Sequence, residues 1–126
     1  MVLVDTSIWI RALANQSPYR HALDQLLSLD QVVGHELVYG ELLIGDTCGR
    51  RKVLDTYELF PKATSVPHSE VVGLVRARHL SGRGLGWIDV HLLASVIVDG
   101  MQLWTADLRL AVVAQDLRVA YSLSGD

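Results

Sequence analysis

The chain has 126 residues, half of them apolar, with 14 acidic and 11 basic side chains and a formal net charge of −3. A single domain spanning residues 1–126 is expected, because a chain of this size buries roughly two-thirds of its unfolded surface without needing a disulfide or structural metal. The apolar content excludes intrinsic disorder, and the acidic balance excludes a passive basic scaffold for nucleic acid.

The chain opens on Val2-Leu3-Val4, a short apolar run of β-formers that reads as a buried strand. The start lacks the positive region of a secretory signal and reaches a carboxylate at Asp5. Asp5-Thr6-Ser7 supplies capping chemistry for a helix carrying Ile8, Trp9, Ile10 and Leu13. A second helix is expected from Ser17-Pro18, with Pro18 at its first position and Ala22, Leu23, Leu26 and Leu27 as its apolar stripe. Gln31 to Gly34 reads as the next strand and Glu36 to Ile44 as a helix. Cys48 is the sole cysteine, so no intrachain disulfide forms, and a reducing cytoplasm is the expected compartment.

Arg50 to Leu59 reads as a further helix, and Ala63 to Val66 as a short strand or connector. Pro67 opens a helix with Val71, Val72, Leu74 and Val75. The one Gly-rich loop, Ser81 to Gly86, precedes a helix from Ile88 to Asp99 that Gly100 is placed to end. Gln102 to Thr105 is the third expected strand, Leu108 to Gln115 a short helix, and Val119 to Tyr121 a last strand. Short apolar strands alternating with helices predict an α/β fold with a parallel sheet covered on both faces. The longest apolar stretch, Leu92 to Val98, falls far short of the roughly twenty residues of a membrane helix.

Four acids interrupt this apolar pattern. Asp5 ends the first strand and Asp107 follows the third. Glu41 shares its helix face with Leu37, Val38 and Ile44, and Asp89 shares its face with Leu92, Leu93 and Val96. Taken singly, Asp5 and Asp107 also read as helix N-caps and Asp89 as a first-turn acid facing the helix dipole. Glu41 has no such capping role. If all four converge at the strand ends, pairs about 4 Å apart repel by roughly 4 kcal/mol at an effective dielectric near 20. Either some carboxyls stay protonated or a divalent cation neutralises them. An all-carboxylate set suits magnesium or manganese rather than zinc.

The blocks Val4-Asp5-Thr6-Ser7 with Ile8-Trp9-Ile10, Gly40-Glu41-Leu42-Leu43-Ile44-Gly45, Gly84 to Ser95 around Asp89, and Leu103-Trp104-Thr105-Ala106-Asp107 resemble PIN-domain ribonucleases, above all VapC toxins of type II toxin–antitoxin systems. The resemblance runs from residue 2 to about residue 121. It implies a three-layer α/β/α PIN-like domain with a mainly parallel central sheet. It implies that Asp5, Glu41, Asp89 and Asp107 are catalytic, with Asp5, Asp89 and Asp107 as metal ligands. Thr6 or Ser7, and Thr105, would hydrogen-bond those carboxylates. The implied activity is Mg²⁺-dependent, or Mn²⁺-dependent, cleavage of structured RNA of the tRNA or rRNA class, which inhibits translation and growth. The implied partners are a VapB-type antitoxin, the RNA substrate and a second copy of the chain in a homodimer, with no membrane. In this reading Glu41 orients or deprotonates the attacking water. Asp107 occupies the position that varies most among such domains.

Other residues complete the reading. Arg83, in the Gly-rich loop, is the candidate RNA phosphate contact, set against a plain solvated arginine. Trp9 and Trp87 pack beneath the site or stack a base, and His35 is expected to be structural. A phosphoacceptor receiver domain would need a second acid after the first strand and a late Lys, and none follows Lys62. A haloacid-dehalogenase-type phosphatase would need an Asp where Ser7 stands, and dinucleotide binding would need a Gly-rich turn after the first strand. The alternative from a different class is a catalytically silent PIN-fold module that acts only by binding a protein partner.

Overall fold

A computed structural model describes residues 1–45 and 51–123 of the chain. Cys48, and Arg50 at the expected start of one helix, lie outside these residues. The buried strand β1 (Val2–Val4) leads into α1 (Thr6–Leu13), then α2 (Tyr19–Ser28), β2 (Val32–Val33), α3 (Glu36–Ile44) and α4 (Arg51–Glu58). The second half comprises α5 (His68–Ala77), α6 (Trp87–Asp99), β3 (Gln102–Trp104) and α7 (Leu108–Asp116). Among the described residues no helix is long and apolar enough to cross a membrane.

All strand pairs are parallel. β1 lies between β2 and β3, with Val2 opposite both Val32 and Gln102, and Leu3 opposite Val33 and Leu103. Single parallel bridges, Gly34 to Lys62 and Leu103 to Ala120, extend the sheet by one residue position on each side. The expected strands at 63–66 and 119–121 therefore reduce to one bridge each, the first of them at Lys62. Val2, Leu3 and Val4 are all buried, so both faces of β1 are covered, as a parallel sheet requires. From β1 the chain first builds outward through β2 and Lys62, then returns to place β3 on β1's other side. That reversal puts a crevice at the carboxyl ends of β1 and β3, where open parallel sheets bind ligands.

The helices follow from capping and periodicity. Asp5 caps α1, its Oδ1 accepting the Thr6 N–H at 2.8 Å. Leu23 and Leu26 bury one face of α2, and Pro18 sits at its N-cap rather than its first turn. Gly100 ends α6 with φ of +64°, a left-handed conformation that glycine adopts without steric cost. Helix α3 corrects the expected burial pattern: its inner face is Val38 and Leu42, Ile44 is 90% exposed, and Glu41 sits half-buried at the margin. Apolar residues occur all round this short helix, so spacing alone does not reveal which stripe faces inward. Beneath α1, Trp9 stacks on Phe60 with ring centroids 6.0 Å apart and meets Tyr57 edge-on at 5.5 Å.

Candidate active site

Asp5 is the organising residue. It emerges from β1 into the crevice, is only 6% exposed, and carries three donors on its carboxylate. Besides the Thr6 N–H on Oδ1, Oδ2 accepts the Ser7 hydroxyl at 2.8 Å and the Thr105 hydroxyl at 2.7 Å. Those two hydroxyl oxygens in turn accept backbone N–H groups, Ala106 on Ser7 and Asp107 on Thr105, each at 3.0 Å. Each hydroxyl proton is therefore directed at Asp5, and the loop after β3 is fastened to the start of α1. Asp5 N–H also donates to Trp104 O at 2.9 Å, closing the same seam through the backbone.

Asp107 lies two residues beyond Thr105 and caps α7, its Oδ1 accepting the N–H groups of Arg109 and Leu110 at 3.0 and 3.1 Å. Glu41 arrives from α3, where the Thr6 hydroxyl donates to its Oε1 at 2.7 Å. Asp89 stands at the third position of α6 and accepts the Gly86 N–H on Oδ2 at 2.9 Å. Burial raises the Asp89 pKa, the Gly86 N–H lowers it, and the negative charges of Asp5, Asp107 and Glu41 raise it again. The other three expected acids thus lie close enough to Asp89 to oppose its ionisation.

The single-residue readings and the convergent one both hold. Asp5 and Asp107 are N-caps, and Asp89 is a first-turn acid bonded to its own cap. The N-termini of α1, α6 and α7 each carry roughly half a positive charge. Three such ends directed at one crevice offset part of the repulsion among the acids. Glu41 has no helix end to support it and depends on the Thr6 hydroxyl instead.

The expected hydroxyls, Thr6, Ser7 and Thr105, all touch the acids. A fourth supporting device was not legible in the sequence. His35 is buried and caps α3, its Nδ1 accepting the Leu37 N–H at 3.0 Å. Its Nε2 lies 3.0 Å from Ser95 Oγ, and that hydroxyl spends its proton on Thr64 O at 2.6 Å. Nε2 must then carry the imidazole proton and donate it to Ser95, which defines one neutral tautomer. Burial lowers the His35 pKa, consistent with that state. The bond pins the start of α3 to α6, setting the helix of Glu41 against the helix of Asp89.

Arg83 is not at the acids. Its guanidinium meets Asp116 Oδ2 at 2.7 Å, at the far end of α7, roughly 13 Å along the helix from Asp107. Trp9 packs in the core, whereas Trp87 is 45% exposed and rests edge-on against His91 with centroids 5.1 Å apart.

The donor set fits a hard divalent cation: carboxylate oxygens only, with Asp5 oriented by hydroxyls and both ring nitrogens of His35 already engaged. Among the described residues no three carboxylate, imidazole or thiol groups form a ready-made cluster. Asp5, Asp89 and Asp107 each bond the N-terminal N–H groups of a different helix, which keeps their oxygens apart.

Residues 2–116 match the PIN domain family. The chain is 42% identical over 121 residues to Ribonuclease VapC32 of Mycobacterium tuberculosis, in strains CDC 1551 / Oshkosh and ATCC 25618 / H37Rv alike. The alignment covers 95% of this chain and 95% of each relative.

Proposed function

The chain belongs to the PIN-domain family, as a VapC-type member, and we propose that it is a metal-dependent endoribonuclease acting as the toxin of a VapBC-type pair. The observation that supports this reading is the hydrogen bonding that ties Asp5 to Thr105 and Glu41 to Thr6, with Asp5, Asp107 and Glu41 near enough to Asp89 to oppose its ionisation. Asp5, Asp89 and Asp107 would hold a Mg²⁺ or Mn²⁺ ion. When bound, that ion supplies positive charge for the scissile phosphate and lowers the pKa of a coordinated water.

The chain's own residues do the rest. Thr105 and Ser7 fix the Asp5 carboxylate in direction. Thr6 occupies one oxygen of Glu41, leaving the other to take a proton from the attacking water. The Asp89 carboxylate, raised in pKa first by burial and then by its neighbours, is relieved by added positive charge. The substrate is single-stranded RNA within a structured molecule of the tRNA or rRNA class, and cleavage arrests translation. The partners are a VapB-type antitoxin and a second copy of the chain.

The test is to map new 5′ ends in total cellular RNA after induction of the wild type and of Asp5→Asn. Discrete cleavage sites made by the wild type, absent with Asp5→Asn and suppressed by chelation in vitro, are expected. Equal cleavage by both proteins removes the acids from the reaction.

A further inference from the structure

Resting on the nuclease reading, the geometry points to Arg109, together with Leu108 and Val112, as the subsite for the nucleotide next to the scissile phosphate. Arg109 is bound into the acidic centre through its backbone, since its N–H donates to Asp107 Oδ1 at 3.0 Å. Its side chain crosses to the Gly-rich loop and lies on Gly84. A Cβ at Gly84 would stand 2.6 Å from Arg109 Cδ and 2.7 Å from its Nη1, and Gly84 has φ of +79°. Only glycine meets both demands. Two residues farther on, Gly86 gives its N–H to Asp89. Arg109 therefore spans the two segments that carry Asp107 and Asp89.

Its charge is uncommitted. Among the described residues the ion pairs are Arg20 with Asp24 and Arg83 with Asp116, and Arg109 enters neither. A guanidinium two residues beyond Asp107, in neither ion pair of the described residues, is suited to an incoming anion. Beside it an open hollow of about 280 Å³ is lined by Arg83, Leu108, Arg109 and Val112. Leu108 is 81% exposed and Val112 50%, one helical turn apart, which makes an apolar ledge continuous with the cation. A cation beside an apolar ledge matches a nucleotide, with the phosphate on Arg109 and the sugar and base on Leu108 and Val112. Arg83, engaged with Asp116, forms the distal wall. The phosphate contact expected of Arg83 thus passes to Arg109.

The experiment measures binding of a labelled, mixed-sequence single-stranded RNA in an Asp89→Asn background, across a salt series. Arg109→Ala, Arg109→Lys and, as a distant control, Arg20→Ala are compared. Arg109→Ala should weaken binding about ten-fold and reduce the slope of log affinity against log salt by roughly 0.7. Arg109→Lys should keep the slope, and Arg20→Ala should change neither. In the otherwise wild-type enzyme, Arg109→Ala should raise KM with kcat changed less than about two-fold.

An unchanged slope in Arg109→Ala, a loss confined to kcat, or an effect seen only on binding of a protein inhibitor would overturn the subsite. A slope lost equally in the Lys variant, with a lowered melting temperature, would make Arg109 structural and overturn it too. Failure of the wild type to cleave any RNA would refute the nuclease reading, while the binding slope would still report on Arg109.

Discussion

Asp5→Asn is the substitution of choice for silencing the acidic centre, and by shape alone it should leave the fold intact. The hydrogen-bond geometry says otherwise. Ser7 Oγ and Thr105 Oγ1 accept backbone N–H groups at 3.0 Å and donate to Oδ2 of Asp5 at 2.8 and 2.7 Å, which outcompetes the 3.3 Å contact between the two hydroxyls. An asparagine must then turn its oxygen toward these hydroxyls and its NH₂ toward the Thr6 N–H. Two donors face each other, and the cap of α1 is lost. A lost cap costs about 1 kcal/mol, and turning two charge-assisted bonds into neutral ones costs about 0.5–1.5 kcal/mol each. Removing one charge from the acidic cluster returns on the order of 1 kcal/mol.

The net loss is about 2 kcal/mol. With about 2.1 cal/mol/K per residue of unfolding entropy over 126 residues, it corresponds to a Tm about 8 °C lower. Thermal unfolding in chelator, followed by circular dichroism, measures it. A variant that melts at or above the wild-type temperature would refute the claim that both hydroxyls are committed donors to Asp5.

The same change at Asp89 should have the opposite sign. Its Oδ2 accepts one N–H, which an asparagine oxygen can also accept, and its charge is disfavoured by burial and by three neighbouring acids. Asp89→Asn should therefore match or exceed the wild-type Tm at pH 7 in chelator while losing RNA cleavage. An acid with a raised folded pKa takes up a proton on folding. The metal-free wild type should therefore gain stability relative to Asp89→Asn as pH falls through the raised Asp89 value toward 3.8. Chemical denaturation at several pH values checks that slope. Mg²⁺ should raise the wild-type Tm at pH 7 and leave that of Asp89→Asn nearly unchanged; equal shifts would place the ion elsewhere. Thr6→Val removes the donor 2.7 Å from Glu41 and should lower kcat at least about ten-fold, with Thr6→Ser retaining most activity. His35, neutral in the fold, contributes stability that is complete above pH 6.5 and lost as pH falls from there toward its lowered folded value. Urea titrations at pH 7 and pH 5.5 should show that loss, and a Ser95→Ala variant should show a smaller one.

The sequence by itself determined most of the elements and singled out the four acids as candidates. Local rules suffice for Val2 to Val4 as a strand, Asp5 and Asp107 as caps and Gly100 as a stop, because each depends on residues within one turn. The charge balance was legible in the same way: without the four acids the remaining acidic and basic side chains nearly cancel. The tertiary structure alone decided which face of α3 is buried, since a helix apolar on all sides takes its orientation from its neighbours. It also decided that Thr105 donates to Asp5 from 100 residues along the chain. It fixed the tautomer of His35 through Ser95, and it paired Arg83 with Asp116 at the far end of α7. Those are contacts between residues distant in sequence, or choices among several partners within reach of a long side chain. No periodicity records them, because they exist only once parallel pairing of β1 with β3 has brought the helix ends to one crevice.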